Sequence, residues 1–121
     1  MATSEAPAAV RRRDGVAVID LAGDVNARAE AALEAAWSEA TREPADAVVL
    51  NFAGAGYINS TGIALIVGVL AKARAAVIQV RAYGLTPHYR EIFEITRLAD
   101  FLAIESDEDS AVRGAEGSTN A

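Results

Sequence analysis

The chain contains no cysteine, so disulfide frameworks and thiolate chemistry are both excluded. Histidine occurs once, at His88, and a lone imidazole without a neighbouring ligand type makes neither a metal site nor an acid–base pair. Aromatic residues are scarce, at 6%. Positive charge is in deficit: 11 Lys and Arg stand against 17 Asp and Glu, a formal net charge of −6. Such a surface repels phosphate backbones and anionic lipid, which argues against nucleic acid as a partner. The longest apolar stretch, residues 62–71, falls far short of the roughly 20 residues that span a bilayer. Residues 1–7 lack a basic region followed by an apolar run and do not read as a signal peptide. The expectation is a cytoplasmic protein with no membrane insertion.

What is present is enough for one core. The chain has 121 residues, 52% of them apolar and mostly Ala, Val, Leu and Ile. Residues 1–7 are expected as a disordered N-terminal tail, 8–105 as a single domain, and 106–121 as a flexible acidic tail with a short helix near Glu108 to Arg113.

Within the domain, apolar runs alternate with helical patterns. Residues 8–12 suit a short edge strand, and Asp14-Gly15 supplies a tight turn. Val16 to Ala22 reads as a strand, followed by a loop in which Asn26 is a good helix cap. From Ala27 to Arg42, Ala29, Leu33, Ala36, Trp37 and Ala40 recur three and four apart, which makes one apolar helical face. Ala47 to Phe52 is nearly continuous in apolar character and suits a central strand. Residues 53–59 read as a loop, Ser60 to Ala73 as a helix, and Ala76 to Ala82 as a strand with one wet face. Thr86 caps a further helix with Pro87 at its first position, the helix body running from Tyr89 to Asp100; Leu102 to Ile104 closes as a strand. The class is α/β: a mixed, mostly parallel sheet, one antiparallel N-terminal edge strand, and helices mainly on one face.

Chemistry concentrates where the central strand ends and a helix begins, a place that favours ligands and modifications in α/β proteins. Gly54 and Gly56 form a Gly-x-Gly without a third glycine or a following lysine, so a phosphate cradle is disfavoured. Ser60 sits at the head of the helix. By residue type alone it is either a cap or an exposed reactive hydroxyl. The helix behind it is apolar almost all round. Ile63, Ile66, Val67 and Leu70 are expected to pack on the sheet. Ala64, Leu65 and Gly68 then remain as an exposed patch.

Asn59-Ser60-Thr61-Gly62-Ile63-Ala64-Leu65 resembles the Asp-Ser-Ser/Thr-Gly signature of the STAS domain, the fold of bacterial anti-sigma factor antagonists. Leu21-Ala22-Gly23-Asp24-Val25-Asn26 is similar to that family's Leu-x-Gly-Glu-Leu-Asp, and Thr86-Pro87 with Ile92-Phe93 to its Ser-Pro and Leu-Phe pairs. The resemblance implies a non-enzymatic protein without cofactors. It implies a partner that is both anti-sigma factor and serine kinase, of the histidine-kinase-type ATPase fold. Unphosphorylated protein binds that partner; phosphorylation, at Ser60 and less so at Thr61, ends binding. The implied contact residues are Asp24, Asn26, Tyr57, Asn59, Ser60, Thr61, Gly62, Ala64, Leu65 and Gly68. Asn26 and Asn59 depart from the family's usual Asp; Asn keeps the cap and drops the charge.

Two rivals stand beside this reading. One is a non-phosphorylated STAS-type subunit of a stress-signalling or ABC-type lipid-transport complex, which the two asparagines favour. The other is a small enzyme or nucleotide-binding protein, against which stands the lack of a visible base, nucleophile or metal cluster.

Overall fold

A computed structural model describes residues 8–116. The expected N-terminal tail, 1–7, and residues 117–121 lie outside that range. The strands are β1 (Ala8–Arg13), β2 (Val16–Val25), β3 (Ala47–Ile58), β4 (Gln79–Tyr83) and β5 (Ala103–Ile104); the helices are α1 (Glu30–Ala40), α2 (Ser60–Ala76), α3 (Pro87–Ile95) and α4 (Glu108–Glu116). Short 3-10 turns at Ala27–Ala29 and Leu98–Asp100 precede α1 and follow α3.

The sheet order is β1-β2-β3-β4-β5, antiparallel between β1 and β2 and parallel throughout the rest. The β1–β2 turn has two successive positive φ angles, 52° at Asp14 and 81° at Gly15. Those angles match the twist of a two-residue hairpin. Parallel strands laid down in sequence order by crossovers of one hand put every crossover helix on the same face. Accordingly α1, α2 and α3 share a core with the sheet, in which Ile19, Leu50, Ile66 and Phe93 are fully buried. Each such side chain contributes roughly 1.5–3 kcal/mol. Phe52 and Phe93 meet edge to face at 5.8 Å.

The consecutive arginines of β1 serve both faces, because strand side chains alternate. Arg12 donates to the carbonyls of Ala40 (3.2 Å) and Glu39 (2.9 Å), satisfying the open C-terminal end of α1. Arg11 and Arg13 point the other way and hold α4.

The short helix expected near Glu108 is present as α4, and it lies docked against the sheet. The turn into α4 is capped by Asp107, which accepts from the Ser110 amide at 2.8 Å. Ala111 and Val112 are buried on the second face of the sheet against Val16, Val18, Ala47, Val49 and Tyr83. Glu108 accepts from Arg11 (2.9 Å), Arg13 (2.8 Å) and the Tyr83 hydroxyl (2.7 Å). Arg11 also grips Asp20, whose other donor is Asn51. Arg11, then Tyr83, lowers the Glu108 carboxyl to about 2. Burial, then Glu108, pushes the Tyr83 phenol up to about 12.

Three boundaries shift from expectation. The predicted loop over 53–59 is strand as far as Ile58, and β2 runs on to Val25 beside it. The strand predicted from Ala76 starts at Gln79, because α2 continues to Ala76 and ends on Val77 in the left-handed region, φ 57°. The helix predicted to Asp100 stops at Ile95, broken by Arg97 at φ 70° before the second 3-10 turn.

Candidate functional site

The candidate site lies where β2 and β3 end and α2 begins. The irregular pairing of their last residues, Ala22 with Gly54, Gly23 with Ala55 and Val25 with Ile58, carries both strands past the body of the sheet. Gly56 makes room for this: a Cβ there would stand 2.4 Å from an Asp24 carboxylate oxygen.

Three successive amides lead to Ser60, and each is held from a different direction. The Tyr57 amide donates to Asp24 Oδ1 at 2.9 Å. The Ile58 amide donates to the Tyr89 hydroxyl of α3 at 3.0 Å. The Asn59 amide donates to the Val25 carbonyl at 3.3 Å. Backbone fixed in this way has lost its conformational freedom before any partner arrives.

Asn59 is the cap of α2. Its side-chain oxygen accepts from the Gly62 amide at 2.8 Å. The capping role that residue type alone allowed for Ser60 is therefore filled one residue earlier. Ser60 becomes the first residue of the helix, and Ser60 and Thr61 are both exposed. The first turn of α2 carries no acidic residue. A negative group added there meets free N–H groups and the positive end of the helix dipole.

The residues expected to contact a partner divide into two groups. Ser60, Thr61, Asn59, Tyr57, Ala64 and Gly68 are exposed, Tyr57 at 78%. Leu65 is half-buried; with Ala64 and Gly68 it lines a groove of about 190 Å³ between α2 and α1, edged by Glu30, Glu34 and Lys72. Gly62 and Asn26 serve the fold instead. Gly62, expected at the contact surface, is buried, and a Cβ on it would stand 2.0 Å from the Val25 carbonyl oxygen. Asn26 is half-buried and caps the turn before α1, accepting from the Arg28 amide at 2.9 Å. Asp24 is exposed at the rim, with one oxygen committed to Tyr57.

The packing stripe of α2 also differs from expectation. Ile66 and Leu70 are buried as expected, joined by Gly62, Val69 and Ala73, while Val67 is 45% exposed and Ile63 is half-buried. In a helix apolar all round, period alone does not choose the inner face. Sequence reasoning also missed Tyr89 as a support for the site. Its place one turn into a Thr-Pro-capped helix was legible; its reach to Ile58 is a tertiary fact.

Among the described residues, no group of three or more His, Asp or Glu could hold a metal ion, and no helix is long and apolar enough to cross a membrane.

Comparison with known proteins agrees with this architecture. An anti-sigma factor antagonist from Mycobacterium paratuberculosis is 18% identical, with 90% of this chain and 92% of that one covered and a TM-score of 0.75. The Bacillus cell fate determinant SpoIIAA in its phosphorylated form is 19% identical, with 88% and 97% covered and a TM-score of 0.66. A sulfate transporter family protein from Wolinella succinogenes is 12% identical, with 86% and 87% covered and a TM-score of 0.72. At these identities the likeness is one of fold. No curated protein matches the chain in sequence. The STAS domain model matches residues 7–111, nearly the whole described fold. The chain belongs to the STAS domain family.

Proposed function

We propose that the chain is an anti-sigma factor antagonist that docks on an anti-sigma factor with serine kinase activity, of the histidine-kinase-type ATPase fold, and is released by phosphorylation at Ser60. One observation carries the reading. Ser60 is exposed at the first position of α2, relieved of capping by Asn59, on backbone fixed by Asp24, Tyr89 and Val25. The likeness to anti-sigma factor antagonists, one of them in a phosphorylated form, supports it.

The step is a phosphoryl transfer. The Ser60 oxygen forms a bond to the γ-phosphorus of ATP, the bridging bond to ADP breaks, and the hydroxyl proton passes to a base on the kinase. The protein gains about −1.5 to −2 charges at pH 7. The head of α2 accommodates that charge, so the fold persists. Across a docked interface the same charge meets groups arranged for a neutral hydroxyl, at a cost of several kcal/mol. About 1.4 kcal/mol is tenfold in affinity, so one phosphate is a sufficient switch.

The test is incubation with candidate anti-sigma kinases and Mg-ATP, read by intact mass. One added phosphoryl group that is lost in Ser60→Ala supports the assignment. Phosphate persisting on Ser60→Ala moves it elsewhere.

A second reading is a non-phosphorylated subunit of a larger assembly. The uncharged Asn26 and Asn59 favour it, as does the likeness to a transporter-family protein. A chain that co-purifies with an assembly or transporter ATPase and gains no phosphate would select this reading.

A further inference from the structure

The flank of α2 away from α1 holds an apolar groove. Its volume is about 360 Å³, within the range of ligand-sized clefts. Leu70 and Leu98, both buried, form its floor. Its walls are Val67, 45% exposed, and Phe101, 54% exposed. Val67 and Phe101 thus stand exposed together over an apolar floor, which is the mark of a binding surface.

The rim has a sign. Arg74 lies over the Phe101 ring at 5.7 Å, and no described carboxylate forms a salt bridge with it. Arg97 stands opposite, paired with Asp100 at 2.8 Å in a solvent-exposed bridge that a competing carboxylate displaces at small cost. Arg97 also occupies the left-handed region, φ 70°, a conformation that strains a side-chain-bearing residue by about 1–2 kcal/mol. Two guanidinium groups therefore flank an apolar floor on a molecule whose net charge is −6.

We propose that this groove receives a short amphipathic segment of a partner protein, with its apolar face on Leu70 and Leu98 and its carboxylates on Arg74 and Arg97. Charge complementarity selects this occupant. Carboxylates pair with the rim arginines, whereas a basic segment is repelled there. Val67, Leu70 and Arg74 lie on one flank of α2, and Ala64, Leu65 and Gly68 line the groove on the other. The two grooves share no lining residue, and Ser60 lines neither of them.

The test uses the full chain and two synthetic helical peptides with identical apolar faces, one flanked by Glu and one by Lys. Binding is read by fluorescence anisotropy and mapped by amide chemical shifts. The Glu-flanked peptide should bind at least about tenfold more tightly, weaken as salt is raised, and shift the amides of Val67, Ala71, Thr96 and Phe101. Phe101→Ser should weaken it about tenfold. Arg74→Glu, at an exposed position, should turn the preference toward the Lys-flanked peptide. Equal binding of both peptides, binding of neither, or shifts confined to another surface overturns the proposal. So does a self-associated chain whose dimer is broken by Arg74→Glu, because the occupant is then a second copy.

Discussion

The Tyr89 hydroxyl, on α3, accepts the amide proton of Ile58 at 3.0 Å, two residues ahead of Ser60. An α3 side chain thereby fixes the chain from which the hydroxyl is presented. Replacing Tyr89 by Phe removes the acceptor and leaves a part-buried N–H without it, at a cost of about 1–3 kcal/mol. The fold should persist, and phosphorylation of Ser60 by a cognate kinase should slow. Steady-state kinetics with the variant as substrate checks this, and an unchanged kcat/KM would show that the tie is structural only.

Asn59 and Ser60 should separate cleanly under mutation. Asn59→Ala removes the cap of α2 and should lower stability by about 1 kcal/mol. Ser60→Ala changes an exposed, non-capping side chain and should stay within about 0.5 kcal/mol of the parent. Urea melts of the two variants measure the difference. A larger loss at Ser60 would place the capping bond on the wrong residue.

Ser60→Glu places a permanent charge at the head of α2. Partner affinity should drop at least about tenfold, equivalent to about 1.4 kcal/mol, while circular dichroism stays native. Calorimetric titration against the anti-sigma partner decides; equal affinity for both forms is incompatible with release by charge.

Gly62→Ala should be costly although it adds a single methyl group. That carbon would stand 2.0 Å from the Val25 carbonyl oxygen, so the head of α2 must move away from β2. A loss of about 3 kcal/mol is expected, and with it altered amide shifts from Val25 to Ser60. Gly68, which has nothing within 4 Å of its would-be Cβ, should accept Ala without loss.

The hold on α4 should depend on acid in a defined direction. The Glu108 carboxyl lies at about 2 in the folded protein against an ordinary value of 4.5. A lowered pKa contributes stability that is fully present above the unfolded value and is lost as pH falls toward the folded one. Stability should therefore decline between about pH 4.5 and 2. Glu108→Gln should lack that part of the decline. Hydrogen exchange in residues 108–112 of parent and variant across this range reports it directly.

The sequence exposes the elements well and their faces less well. The hairpin at Asp14-Gly15, the caps at Asn26 and Thr86, and the apolar stripe of α1 were all legible, because each is set by neighbours in the chain. The glycines at 54 and 56 misled, since in a linear reading glycine signals a turn. Here they sit in a strand and allow close approach: a Cβ on Gly54 would meet the Leu21 carbonyl at 3.0 Å. Val67 and Val69 are equivalent in a helix apolar all round; only the positions of the sheet, α1 and α3 decide that Val69 faces inward. The acidic run near Glu108 read as a solvated tail. Its partners, Arg11, Arg13 and Tyr83, come from distant parts of the chain, so nothing local announced that it would dock.

The sheet's two borders limit how this molecule can associate. One border is β1, where Arg11 to Arg13 are turned onto α4 and α1; the other is β5, only two residues long. A bordering strand recruits a foreign strand when it is long, flat and apolar, and neither of these is. Strand addition, the commonest route to unwanted aggregates of open sheets, is thus discouraged on both sides. Recognition is left to the helical layer, where side chains rather than backbone ladders choose the partner.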